Sequence, residues 1–297
     1  MWRVSETVLL FIALLLTGRG MWAHAQVSDR EPEGLRYTYS FDTTLESKYI
    51  WRGQRLTDGW NLQSSGTFGA NGFSVNLWAK LDLEAVSEGD RRLLGENPEA
   101  LDTTGKGLQG RFSEVDLMFS YVRQLAGMTF EAGMVSYVMP YNLDSCPSTT
   151  EVYARLALDP LPLAPAVSVN VDVDESRERG GSGLYVDVAA GHSLPLSGSR
   201  FKSVDISGRL GIAGSGFARY CYDSEKSGPH DLSLSLSLPV EISDGWSSTF
   251  FLSCSSLIGR FRDFQYVNPR DLHRGSAGSP SSYADTIWGG IVIAFEP

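Results

Sequence analysis

Residues 73–84 alternate without interruption, with Phe73, Val75, Leu77, Ala79, Leu81 and Leu83 on one parity and Ser74, Asn76, Trp78, Lys80, Asp82 and Glu84 on the other. Successive side chains leave a strand on opposite faces, so the run reads as one strand with an apolar face and a largely polar one. It covers twelve residues, whereas a half-buried strand in a soluble protein averages about five or six and a tilted strand crossing a bilayer takes ~9 to 11. Length therefore points to a membrane, with strands as the spanning elements.

The pattern recurs. Val115, Leu117, Phe119 and Tyr121 oppose Glu114, Asp116, Met118 and Ser120, and Val152, Ala154, Leu156 and Leu158 oppose Glu151, Tyr153, Arg155 and Ala157. Val167, Val169, Val171 and Val173 face away from Ser168, Asn170, Asp172 and Asp174, and Leu232, Leu234, Leu236 and Leu238 interleave with Ser233, Ser235, Ser237 and Pro239. A helix would scatter these residues around its circumference. Twelve runs of this kind lie at 35–53, 61–70, 72–84, 111–123, 128–138, 150–159, 164–174, 183–193, 203–213, 231–241, 246–257 and 284–295. The number is even, as a single-chain barrel with both ends on one side requires.

The connections sort by parity. Those at 71, 124–127, 160–163 and 242–245 are tight turns rich in Gly, Pro, Asn and Asp, and the one at 194–202 is of intermediate length. The alternate connections at 85–110, 139–149, 214–230 and 258–283 are long and largely polar, with shorter ones at 54–60 and 175–182. An outer-membrane barrel has short periplasmic turns and long external loops in this order, and a soluble sandwich has no reason to sort them. In the first run, Tyr39 and Tyr49 stand ten steps apart, ~23 Å of height at a 45° tilt, which suits two aromatic girdles flanking an apolar band ~25 Å tall. The expected fold is thus all-β, a transmembrane antiparallel up-and-down β-barrel of about twelve strands over residues 35–297.

The N-terminus supplies the export signal such a barrel needs. Arg3 precedes an unbroken apolar run at 8–16, and Ala23-His24-Ala25 precedes Gln26, which together read as a cleaved signal peptide at 1–25 followed by a short periplasmic segment at 26–34. Removing Arg3, Arg19 and Glu6 leaves 23 basic and 34 acidic side chains, a net charge of −11 over 272 residues. That balance argues against a nucleic-acid partner. After Gln26 no apolar run is long enough for a spanning helix.

At the end of the first run, Ser47-Lys48-Tyr49-Ile50-Trp51-Arg52-Gly53, followed by Gly59-Trp60 and a second hairpin, resembles the putative-porin family that includes TorF-like outer-membrane proteins. The resemblance implies a barrel in a Gram-negative-type outer membrane and a transport role. The last run, with Ile287, Gly289, Ile291, Ile293 and Phe295 on one parity, resembles the aromatic-ended closing strand by which bacterial barrels are recognised for assembly, although Glu296 and Pro297 follow. The expected partners are accordingly the lipid bilayer, the barrel-assembly machinery and small solutes or ions.

With the apolar parity in lipid, the lumen receives Glu46, Lys48, Arg52, Lys80, Asp82, Glu84, Glu114, Asp116, Glu131, Glu151, Arg155, Asp172, Asp187, Asp205 and Arg209, ten acidic against five basic. A lumen of this sign favours cations. The same side chains would equally serve a packed interior of ion pairs, because twelve strands permit either a filled or an open barrel. The segment 85–110 is long enough to fold into the mouth as a constriction or to remain a solvated loop. Cys146 and Cys221 both fall in long connections, where a disulfide between them is one arrangement; Cys254 falls within a strand, and the count of three leaves the pairing open.

Chemistry is expected to be absent. One class of twelve-stranded barrel is a phospholipase with a serine and a histidine on its outer face, but around His192 there is no His-x-Ser-Asn-Gly-like cluster. The acidic edge of Asp172, Asp174, Glu175 and Glu178 lacks the spacing of a calcium loop, and no metal or cofactor motif is present. Three readings remain: a passive channel for small hydrophilic solutes, a non-conducting barrel with a structural or surface-interaction role, and an exported soluble β-protein.

Overall fold

Twelve strands close into one antiparallel ring, so none of them is left with an unpaired edge. The structure is a computed structural model that describes residues 37–57, 59–84, 109–140, 148–174, 182–197, 200–222, 224–264 and 284–297. The signal-peptide expectation for 1–25 and the segment 85–108 lie outside them. The strands are β1 (Tyr37–Glu46), β2 (Tyr49–Trp51), β3 (Gln54–Thr57), β4 (Asn61–Ala70), β5 (Phe73–Asp82), β6 (Phe112–Leu125) and β7 (Met128–Val138). They continue as β8 (Thr149–Leu158), β9 (Ala166–Asp172), β10 (Gly183–Pro195), β11 (Ser203–Ala213), β12 (Gly228–Ser243), β13 (Trp246–Leu257) and β14 (Asp285–Phe295). Helix α1 (Ser215–Tyr222) and a short 3-10 helix (Gly259–Phe264) sit in the connections after β11 and β13.

Successive strands from β4 to β14 pair with one another, and β1 closes the ring between β4 and β14. At that seam Phe41 stands opposite Phe295 and Glu46 opposite Gly290. The parity read from the sequence separates the two faces. Leu232, Leu236, Leu252 and Ile287 are exposed on the outside, the reverse of a soluble protein and the arrangement that lipid requires. Two of the turns are two-residue hairpins, Asn71-Gly72 and Ala126-Gly127, with φ of 53° and 86° and of 51° and 77°. Positive φ at both central residues matches the twist of the flanking strands. Around this turn end the outward aromatics form a belt, with ring centroids 5.8 Å apart for Tyr37 and Phe68, 4.7 Å for Phe73 and Tyr121, and 4.9 Å for Trp246 and Phe295.

The first run departs from expectation. Wall pairing of β1 ends at Glu46 and Ser47, whose N–H donates to the Gly289 carbonyl at 3.1 Å, and residues 49–57 turn inward as a separate two-stranded hairpin, β2–β3. Tyr39 is exposed on the outside whereas Tyr49 is only 8% exposed, so the two do not mark girdles on one wall. The reason lies in the alternation itself: β2 is also extended and keeps the odd aromatic parity, so the period runs on after the chain has left the sheet.

Candidate functional site

The lumen has two zones. Towards the turn end its lining is of short polar side chains: Ser74 and Ser120 lie 2.7 Å apart, Asn76 donates to Thr67 at 2.7 Å, Ser235 and Ser253 lie 2.8 Å apart, and Ser193 donates to Asp205 at 2.6 Å. Most of these groups are half-buried, so this half of the barrel is a polar vestibule. Where a bulkier group intrudes it lies flat on a glycine: Tyr153, paired with Gly133, donates to Glu131 at 2.8 Å.

At the loop end the lumen is crossed. Twelve strands ~4.8 Å apart and tilted by ~40° make a ring ~24 Å across. Hairpin β2–β3 leaves the wall between β1 and β4 and touches the far side. At its base Tyr49 donates to Glu114 at 3.2 Å, lies beside Trp78, and has the Lys80 ammonium 4.8 Å from its ring centre. Burial, then the neighbouring Glu114 and Asp116 carboxylates, push the Tyr49 phenol well above its ordinary range, which keeps it a donor.

The tip is Arg52-Gly53, with φ of 48° and 75°. This is a two-residue hairpin turn in which Asn or Gly is the usual first residue, and a bulky residue held there costs ~1 to 2 kcal/mol. Arg52 offsets that with its side chain. Nη1 and Nη2 donate to Glu151 Oε1 and Oε2 at 2.7 and 2.6 Å, and the guanidinium stands 4.5 Å from the Trp51 ring centre and 4.3 Å from that of Tyr185. Burial alone would weaken its charge; the Glu151 carboxylate more than reverses this, and the guanidinium stays protonated above its ordinary range. Gly53 is required for the fit, since a Cβ there would come 2.4 Å from Cβ of Asp231.

Beside the tip lies an apolar cluster of Tyr185, Ala213, Phe217, Ala218, Tyr222 and Phe261, formed where α1 and the 3-10 helix fold onto β10 to β13, with Trp51 packed against it. A register shift after Gly211 on β11 leaves one extra residue on β12, and there both His230 and Asp231 turn inward and are fully buried. Tyr222 Oη lies 2.6 Å from His230 Nε2, His230 Nδ1 lies 2.8 Å from Asp231 Oδ1, and Asp231 also accepts from Tyr185 at 2.6 Å and Arg209 at 2.9 Å.

Most of the residues expected to line a pore are on the inner parity. Lys80 and Asp82 pair at 3.1 Å beneath the hairpin base, Glu114 and Asp116 lie on the adjoining wall, and Glu46 accepts from Gln63. Asp172 accepts from Thr149 at 2.7 Å and from the Asp174 backbone at 3.0 Å; Glu131, Arg155 and Asp205 lie nearer the turns, while Asp187 and Arg209 lie towards the loop end, where Arg209 pairs with Asp231. Two stand apart: Glu84 lies past the end of β5 and is exposed, and Lys48 donates to the Ile287 carbonyl at 3.2 Å on β14. Cys221 is on α1 and Cys146 lies outside the described residues, as does most of the segment 85–110 considered as a constriction. Sequence reasoning placed Tyr49 in the wall as a girdle aromatic and did not reach Tyr185, Phe217, Tyr222, His230 or Asp231. The one local signal for the inward hairpin is an Arg-Gly pair between two extended runs.

A closed ring of twelve antiparallel strands, apolar outside and polar within, with short turns at one end and long connections at the other, is the architecture of an outer-membrane β-barrel. Among solved structures it is similar to the NanC porin, with a TM-score of 0.50 and 10% identity over 86% of this chain and 100% of that one. Weaker likenesses are to the KdgM porin (TM-score 0.45, 10% identity, 86% and 98% covered) and an outer-membrane channel from Pseudomonas putida F1 (0.47, 8%, 92% and 100%). At such identities the likeness is one of fold. No protein-family profile matches the chain, and no match is found among curated proteins.

Proposed function

We propose that this chain is a porin-like outer-membrane channel for passive diffusion of small hydrophilic solutes, narrowed at its loop end and biased towards cations. The observation that carries the reading is the polar vestibule: hydroxyls, amides and carboxylates face a closed interior and are only half-buried. Buried polar groups must be paired, so a lining of this kind belongs where water is. The bias rests on Glu46, Asp82, Glu114, Asp116, Glu151, Asp172, Asp187 and Asp231 at or near the constriction, against Arg52, Lys80 and Arg209. Export through the signal peptide, insertion by the barrel-assembly machinery and the TorF-like resemblance of residues 47–53 belong to the same reading, and the residues of that motif form the inward hairpin. That NanC and KdgM are named porins supports the class without naming a solute for this chain.

The hairpin itself favours a second reading, a non-conducting barrel whose interior is packed at one end and whose loops bind partners. Liposome swelling with the purified full chain separates the two. Swelling in small neutral sugars is the expected result; vesicles as tight as protein-free controls would leave the second reading.

A further inference from the structure

We infer that hairpin β2–β3 is a displaceable gate latched by the Arg52–Glu151 pair, an inference that rests on the channel reading and adds its regulation. Three observations carry it. The hairpin forms a sheet of its own, so moving it breaks no ladder of the barrel wall. Its tip is held to the far wall by a bidentate ion pair whose two members are 8% and 2% exposed. Arg52 occupies a positive-φ turn position that its backbone does not favour, so the side chain is what selects it there.

The contrast with α1 fixes which element moves. That helix is seated by fully buried Phe217 against Tyr185 and Phe261, and water cannot replace those contacts. Arg52 and Glu151, by contrast, would both be hydrated once the tip swings out, and a buried ion pair is near break-even against its solvated partners. Besides that pair the closed hairpin keeps the Trp51 ring on Phe217, centroids 5.8 Å apart, which makes closed the favoured state and open the minor one, as a gate requires. Losing one partner leaves the other as an unpaired charge in the closed state only, which drives the hairpin out.

The test is single-channel recording in planar bilayers of the full chain, Arg52→Ala, Glu151→Gln, the charge swap Arg52→Glu with Glu151→Arg, and a variant in which 49–57 is replaced by a short Gly-Ser link. A heat-dependent gel shift checks that each is folded. The expected result is a low open probability in the parent, an increase of roughly tenfold or more in either single variant, partial return in the swap, and a permanently open channel in the shortened chain. Parent conductance equal to that of the shortened chain, or single variants as closed as the parent beside an open shortened chain, overturns the latch and leaves the channel. Silence from every folded variant, the shortened one included, overturns both.

Discussion

At the scale of single residues the barrel wall is built by matching glycines to the rings that cover them. Gly133 is paired with Tyr153, and a Cβ there would come 2.4 Å from the Phe119 carbonyl and 2.8 Å from the Tyr153 ring. Gly66 meets nothing within 4 Å. The two therefore answer one substitution in opposite ways. Gly133→Ala is expected to destabilise the folded barrel by ~1 to 3 kcal/mol through overpacking, and Gly66→Ala to stay within ~0.5 kcal/mol or gain slightly, since alanine restricts the unfolded chain. Urea titration of refolding into lipid vesicles measures both. Equal effects would mean that ring-on-glycine packing does not hold the wall.

At the scale of strands the two faces have different tolerances. Leu234 points outwards from the middle of β12, and Ser235 points into the lumen, where it lies 2.8 Å from Ser253. Leu234→Arg is expected to cost ~2 to 4 kcal/mol, the range for an arginine near the bilayer midplane. Ser235→Asn keeps a polar group in a solvated lumen and is expected to cost less than ~1 kcal/mol. The same vesicle titration compares them, and equal costs would sink the assignment of faces. This face-by-face rule is also why so many strands were legible: 61–70, 128–138, 203–213 and 246–257 coincide with β4, β7, β11 and β13 because alternation is bounded by turn residues or by a change of pattern. Residues 35–53 were not legible, since Tyr49 and Trp51 continue the parity of Tyr37, Tyr39 and Phe41 while the wall ends on partners remote in sequence, Gly290 and Asn61 opposite Glu46 and the Gly289 carbonyl accepting from Ser47.

For the whole molecule, the charged groups of the lumen could be named from alternation, but their arrangement could not, because it depends on which segment folds inward. The hairpin places Arg52 on Glu151, and with Lys80 on Asp82 and Arg209 on Asp231 these cations near the constriction are engaged with acids. Glu46 and Glu114 accept hydrogen bonds from the neutral donors Gln63 and Tyr49, and Asp116 shares the inner face of β6 with Glu114. On the proposed channel reading these carboxylates set the sign of the narrow zone, and permeation is expected to favour cations. Sign and origin are tested together by reversal potentials under a salt gradient. The screening length is ~10 Å at 0.1 M and ~3 Å at 1 M, so a preference set by wall charge is strong at low salt and fades at high salt. Glu114→Gln with Asp116→Asn is expected to halve the low-salt preference or more, while leaving the high-salt conductance within about twofold. A preference for anions, or one indifferent to salt and to this double substitution, would mean that the acidic lining does not set which ions pass.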